Sequence, residues 1–154
     1  MCDRRCGSPF VSLEMFRKLI KPYHKALAEV GLQRGLPVEM HCCGKCESFI
    51  DDWMDYGVRA WDPAQVSNDL VGIQKKYGKK LVIIGGVDAR ELVKPGIGED
   101  EVRSIIRETI DRYTAQGSYA FYCNLLTAVG DKETAQKNRW ITDEAVKYGQ
   151  KVYK

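Results

Sequence analysis

One histidine and three cysteines crowd into a single short segment, His41-Cys42-Cys43-Gly44-Lys45-Cys46. Imidazole nitrogen and thiolate sulfur are typical zinc ligands. The segment follows a short apolar run, and in an extended strand the side chains of residues i and i+2 point the same way. This allows His41 and Cys43 to converge on one metal ion; the alternative is a satisfied core histidine beside a cysteine that packs as a small hydrophobic residue. Cys123 is the other cysteine at the end of a predicted strand, which makes it the candidate third ligand.

The same segment allows other interpretations. Cys42 faces away from its two neighbours and is interpreted as a small hydrophobic core residue. Cys43 and Cys46 form a C-x-x-C motif, which occurs in redox dithiols, but the order of predicted elements does not favour a thioredoxin-like unit. Glu39 shares the predicted face of His41, so its carboxylate either supports or joins the ligand set or is simply solvated or ion-paired.

A second candidate segment is Gly85-Gly86-Val87-Asp88, which follows the most apolar predicted strand. Paired glycines permit positive φ angles and close approach of the backbone to a bound molecule. Gly86 is therefore a candidate substrate contact. The Asp88 carboxylate is either a substrate ligand or acid–base group or the N-cap of a short following helix.

A third candidate segment is Trp61-Asp62-Pro63-Ala64-Gln65, which follows another predicted strand. Trp61 forms the wall of a substrate pocket in one interpretation and packs in the core in the other. Asp62 and Gln65 either line that pocket or belong to a turn, since Asp-Pro is a common turn sequence.

The hydrophobic pattern predicts elements that would bring these segments together. A first helix, residues 13–31, begins after Ser12 as N-cap and is kinked at Pro22. The predicted strands are residues 38–41, 58–61, 80–84 and 119–123. The further predicted helices are residues 47–56, 68–77 (capped by Ser67 or Asn68), 100–116 and 132–153. Alternating strands and helices indicate a parallel sheet with right-handed crossovers, and the apolar strands predict that both sheet faces are covered.

Composition excludes several classes of protein. Of 154 residues, 44% are hydrophobic and 29% are charged, which excludes simple disorder. Apolar runs are far shorter than the roughly 20 residues of a membrane span. A net charge of +3 without a basic, aromatic-rich block gives no sign of nucleic-acid binding. The charged N-terminus lacks the apolar core of a secretory signal, so a cytoplasmic location is expected.

Taken together, these segments resemble the uroporphyrinogen decarboxylase superfamily. The resemblance rests on Glu39-Met40-His41-Cys42-Cys43-Gly44, Trp61-Asp62-Pro63-Ala64-Gln65, Tyr77-Gly78, Gly85-Gly86-Val87-Asp88, Tyr148-Gly149, Pro22-Tyr23 and the opening stretch of residues 8–16. It implies that residues 1–154 form a single partial domain, the C-terminal half of a (β/α)8 barrel, with one helix before four parallel strands. In such barrels the strand ends carry the catalytic groups, which favours a functional role for Asp88.

The resemblance implies two alternative activities. Zinc-dependent methyltransferases of the superfamily move methyl groups between a corrinoid and a thiol or folate acceptor, and by that likeness His41, Cys43 and Cys123 bind zinc. Its decarboxylases remove carboxyl groups from a tetrapyrrole without a cofactor, in which case the cysteines are structural. A third hypothesis is an inactive fragment or half-barrel. The expected partners are a small substrate, a corrinoid protein, and either a second copy or an N-terminal half-barrel that would close two open sheet edges.

Overall fold

The computed structural model describes residues 9–126 and 128–153, in which helices alternate with four strands. The strands are β1 (Val38–His41), β2 (Val58–Ala64), β3 (Val82–Gly86) and β4 (Tyr119–Tyr122). The helices are α1 (Leu13–Leu19), α2 (Lys21–Leu32), α3 (Ile50–Asp55), α4 (Leu70–Tyr77), α5 (Ala89–Leu92), α6 (Glu99–Thr114) and α7 (Lys132–Val152). Single 3-10 turns at Glu47–Phe49 and Gly78–Lys80 precede α3 and follow α4.

The four strands form one parallel sheet in the sequential order β1-β2-β3-β4. Crossovers between parallel strands are right-handed, so a sequential order without a reversal places all connecting helices on the same face. This is the winding of a barrel wall, whereas a doubly wound sheet reverses direction. The four parallel strands alternating with helices confirm the predicted fold class.

Strand burial shows which face the helices cover. Trp61 and Ile83 are fully buried, and Tyr119 is nearly so. On the other side of the sheet, Ile84 is half-buried and Tyr122 is 50% exposed. The expectation that both faces are covered is therefore wrong for the residues described, because every crossover helix lies on one side. We call this side the helix face and the other the open face.

Two hydrophobic clusters lie on the helix face. The first core cluster joins α1–α4 to the strands and includes Phe16, Phe49, Trp53, Trp61 and Ile83. The second core cluster joins α5–α7 to the end of the sheet, and its buried members are Leu92, Ile97, Val102, Ile106, Ile110, Leu125 and Ile141. Each cluster anchors strands whose C-terminal ends carry the candidate site residues.

The first predicted helix is divided in two. Ser12 caps α1 as predicted, and its hydroxyl accepts a hydrogen bond from the Met15 N–H at 3.1 Å. The helix is interrupted at Ile20, and Pro22 lies in the first turn of α2. Proline has no N–H to donate to the preceding turn, but it is tolerated in a first turn, so the helix restarts rather than kinks.

The cap of α4 also differs from the prediction. Asp69, rather than Ser67 or Asn68, caps the helix, and its carboxylate accepts from the Gly72 N–H at 2.9 Å. The Asn68 side chain instead contacts the loop that follows β1. Across the portion of the chain that the structure describes, no helix combines the length and apolar character needed to cross a membrane.

Candidate functional site

The end of β1 places His41 and Cys43 on the open face. Burial alternates along β1: Val38 and Met40 pack against the first core cluster, whereas Glu39 and His41 are exposed. The His41 side chain is 71% exposed. The predicted shared face of Glu39 and His41 is therefore confirmed, and it is the face that the helices leave uncovered.

Asp62 fixes the orientation of the His41 ring. The two residues are paired across β1 and β2, and the His41 Nδ1 lies 2.7 Å from the Asp62 Oδ1. The opposite ring nitrogen, Nε2, lies 3.9 Å from the Cys43 Sγ. Tetrahedral zinc with bonds of about 2.0 Å to nitrogen and 2.3 Å to sulfur would separate these two atoms by about 3.5 Å. The pair is within a few tenths of an ångström of that spacing.

Side chains from the loop after β2 hold the cysteine segment in place. The Gly44 N–H donates to the Gln65 Oε1 at 2.6 Å. The Cys46 N–H donates to the Asn68 Oδ1 at 2.7 Å, and the Asn68 Nδ2 donates to the Gly44 carbonyl at 2.8 Å. Asn68 is buried, so this clamp is shielded from competing water. Gln65, predicted to line a substrate pocket, thus contacts the loop that carries Cys43.

Trp61 lies in the core rather than at a pocket wall. Its side chain is fully buried, packs 5.9 Å from Trp53 between ring centroids, and donates from Nε1 to the Cys42 carbonyl at 2.9 Å. Cys42 is buried on the same face, as its core interpretation predicts. Both residues pack against β1 and the loop that follows it on the helix face.

Cys123 lies apart from His41 and Cys43. Two strands intervene between β1 and β4, so three strand spacings of about 4.8 Å place the strands roughly 14 Å apart. Cys123 has the parity of Tyr119 and packs against the second core cluster. Burial raises the pKa of its thiol to about 11. Within residues 9–126 and 128–153, no three His, Cys, Asp or Glu side chains are close enough to hold a metal ion.

Gly86 and Asp88 have clear structural partners. Gly86 has φ +78°, and a Cβ there would lie 2.7 Å from the Tyr113 Cε2. Asp88 caps α5 by accepting from the Arg90 N–H at 3.1 Å, and it pairs with the Arg90 guanidinium at 2.6 Å. The hydrogen bond from the Arg90 side chain lowers the pKa of Asp88, which weakens it as a general base. The predicted roles of both in substrate binding and catalysis stay predictions.

Sequence reasoning missed the part played by Asn68, and it assigned Asp62 to a pocket lining or to a turn rather than to a contact with His41. The strand register supplies the missing information, because it is the pairing of β1 with β2 that brings Asp62 to the His41 ring. The sequence signal that could have indicated both roles is a carboxylate or amide side chain close to the end of the neighbouring strand.

The sequence matches the uroporphyrinogen decarboxylase (URO-D) family over residues 5–124. The chain belongs to this family. The match covers all four strands, the His41–Cys43 pair and Cys123, and it ends before α7. A comparison with curated proteins found no match. Together with the sequential parallel sheet, family membership identifies the fold as part of a (β/α)8 barrel, with the candidate site at the C-terminal ends of the strands, where such barrels carry their chemistry.

Proposed function

We propose that this member of the URO-D family binds zinc through His41 and Cys43 and serves methyl transfer from a corrinoid or other methylated substrate to a thiol or folate acceptor. The observation that carries the proposal is the distance of 3.9 Å between the His41 Nε2 and the Cys43 Sγ, combined with the bond between the His41 Nδ1 and Asp62. A histidine held by a carboxylate at one nitrogen and aimed at a thiol with the other is typical of zinc sites.

Asp62 determines which tautomer His41 adopts. A carboxylate oxygen accepts, so in the neutral imidazole the Nδ1–H donates to the Asp62 Oδ1 and the lone pair lies on Nε2. That lone pair faces the Cys43 sulfur, on the exposed side of the sheet where a substrate can enter. Gln65 and Asn68 hold the Cys43 loop, so both donor atoms are positioned before a metal arrives.

Zinc bound by this pair would act as a Lewis acid that lowers the pKa of an acceptor thiol at an open coordination position. A catalytic zinc usually has three protein ligands, and Cys123 is the proposed third. From its described position the Cys123 thiol has to leave the second core cluster and turn towards the open face. The role of Cys123 as a ligand is therefore tested separately from that of the His41–Cys43 pair.

Metal affinity tests the ligand pair. We expect about one zinc per purified chain, loss of zinc in His41→Ala, and a 10- to 100-fold weaker affinity in Asp62→Asn. Asp51→Asn is the matched control, because its carboxylate pairs with the exposed Lys76 on α4 instead. Affinities are measured by competition with a chromophoric chelator. Less than about half a zinc per chain, unchanged in His41→Ala, would overturn the metal proposal.

The third ligand and the reaction have their own readouts. If Cys123 is a ligand, Cys123→Ser weakens zinc affinity as much as Cys43→Ser does, and an affinity equal to wild type removes Cys123 from the site. Methyl transfer is followed through the visible spectrum of methylcobalamin mixed with a small thiol, with His41→Ala as the inactive control. Release of carbon dioxide from a tetrapyrrole carboxylate at equal rates in wild type and His41→Ala would favour a decarboxylase instead.

A further inference from the structure

Two buried cysteine sulfurs lie in contact behind the candidate site. The Cys46 Sγ is 3.3 Å from the Cys42 Sγ, and the two residues are 0% and 3% exposed. This is not the pair that the C-x-x-C spacing suggests, because Cys43 faces the opposite side of the sheet, towards His41. The structure thus selects Cys42 and Cys46 from three neighbouring cysteines.

The loop conformation accounts for this contact. Gly44 has φ +87°, which reverses the chain between the two cysteines. Asn68 then fixes both sides of the turn, by accepting from the Cys46 N–H and donating to the Gly44 carbonyl. The Cys46 sulfur also lies within 3.5 Å of the carbonyl oxygens of Cys42, Cys43 and Gly44. The sulfur positions are therefore set by hydrogen bonds that do not depend on a bound metal.

We propose that Cys42 and Cys46 form a reversible disulfide on reaction with a low-molecular-weight disulfide such as glutathione disulfide. The thiolate of Cys42, the more exposed of the two, attacks the small disulfide, forms a mixed disulfide and releases one small thiol. The Cys46 sulfur then attacks the Cys42 sulfur and releases the second small thiol. Two electrons pass to the small disulfide, and the two cysteine protons end on the released thiols.

The geometry makes this pair the preferred product. Bond formation brings the two sulfurs from 3.3 Å to about 2.05 Å, a movement of little more than 1 Å within a short loop. Cys43 lies on the other face of the strand, and Cys123 lies beyond two further strands in the second core cluster. Oxidant entry requires a local opening of the loop, because both sulfurs are buried.

Peptide mapping of the full chain tests the proposal. The protein is equilibrated with mixtures of reduced and oxidised glutathione, quenched with acid, alkylated and digested with trypsin. Cleavage after Lys45 separates the two cysteines, so the disulfide links peptides 35–45 and 46–59 until a reductant is added. We expect the linked pair in wild type and in Cys43→Ser, and its loss in Cys42→Ala, where alanine keeps the buried position apolar.

Two results would overturn the proposal. One is the absence of the linked pair at every glutathione ratio. The other is a link that survives in Cys42→Ala and disappears in Cys43→Ser, since that would assign the disulfide to the C-x-x-C pair. Repeating the digestion after oxidation in urea controls for folding: there Cys42→Ala should regain a link through Cys43, because the loop no longer separates the two sulfurs. None of these readouts uses zinc, so they are independent of the proposed methyl transfer.

Discussion

Replacing Gly86 by alanine should destabilise the protein more than the same change at Gly96. Both glycines have nearly the same positive φ, +78° and +77°. They differ in their surroundings: a Cβ at Gly86 meets the Tyr113 ring at 2.7 and 2.9 Å, whereas a Cβ at Gly96 meets nothing within 4 Å. The pair therefore separates the cost of a positive φ from the cost of the contact with Tyr113.

The expected magnitudes follow from these two terms. A positive φ destabilises alanine by about 1–2 kcal/mol. The lower conformational entropy of the unfolded alanine variant offsets about 0.4–1 kcal/mol of this. Gly96→Ala should therefore lower the free energy of unfolding by about 1 kcal/mol. At Gly86 the added methyl must displace Tyr113, which is buried and packed 5.4 Å from Tyr119 between ring centroids. Overpacking of this kind adds about 1–3 kcal/mol.

Urea unfolding followed by tryptophan fluorescence measures both variants, since Trp53 and Trp61 are buried in the first core cluster. An extra 2 kcal/mol would move the midpoint by about 1 M for a slope of roughly 2 kcal/mol/M. If the two variants differ by less than about 0.5 kcal/mol, the close approach to Tyr113 does not explain why position 86 is glycine. The predicted substrate contact would then be the better explanation.

Two further predictions concern stability and assembly. Burial alone would raise the pKa of Glu144, but hydrogen bonds from Arg107 and Arg103 outweigh it and the pKa is lowered. The stabilising contribution of the Glu144 carboxylate is complete above its unfolded pKa of about 4.3 and disappears as the pH falls through its folded pKa. Glu144→Gln should thus lower the free energy of unfolding by about 1.5–3 kcal/mol at pH 7 and by less at pH 3 in urea unfolding, and an equal difference at both pH values would contradict this. In the part of the chain that the structure describes, β1 and β4 are the outer strands of the sheet, and such edges favour pairing with another chain. Light scattering should therefore give at least twice the 17.5 kDa of one chain, and a stably folded monomer would refute obligate pairing.

Much of the fold follows from the sequence because local signals agree with the tertiary structure. The run of residues 80–84 predicts a buried strand, and β3 occupies Val82–Gly86. Ser12 has the hydroxyl that an N-cap requires, and it caps α1. The prediction fails where two neighbouring residues compete for one role. Asp69 caps α4 because Asn68 is engaged by Gly44 and Cys46, partners more than 20 residues away.

The candidate site is predictable only where it lies within one strand. Alternation along β1 places His41 on the open face, and this follows from the sequence alone. The bond to Asp62 depends on the register between β1 and β2, which shifts between Val38 and Glu39. The direction of the Cys123 side chain depends on its position in the alternation along β4. A shift of one residue would decide whether the thiol points to a metal or into the second core cluster.

The alternation along β1 divides the mutational tolerance of this strand by position. Substitutions at Met40 reach the first core cluster and carry a folding penalty, whereas substitutions at Glu39 and His41 reach solvent on the open face. Adjacent positions of β1 are therefore under different constraints, since one side chain packs in the core and the next is exposed. The side chains on the open face of such a strand can be exchanged while the core packing is retained. β1 is therefore suited to libraries in which only the open-face positions are randomised.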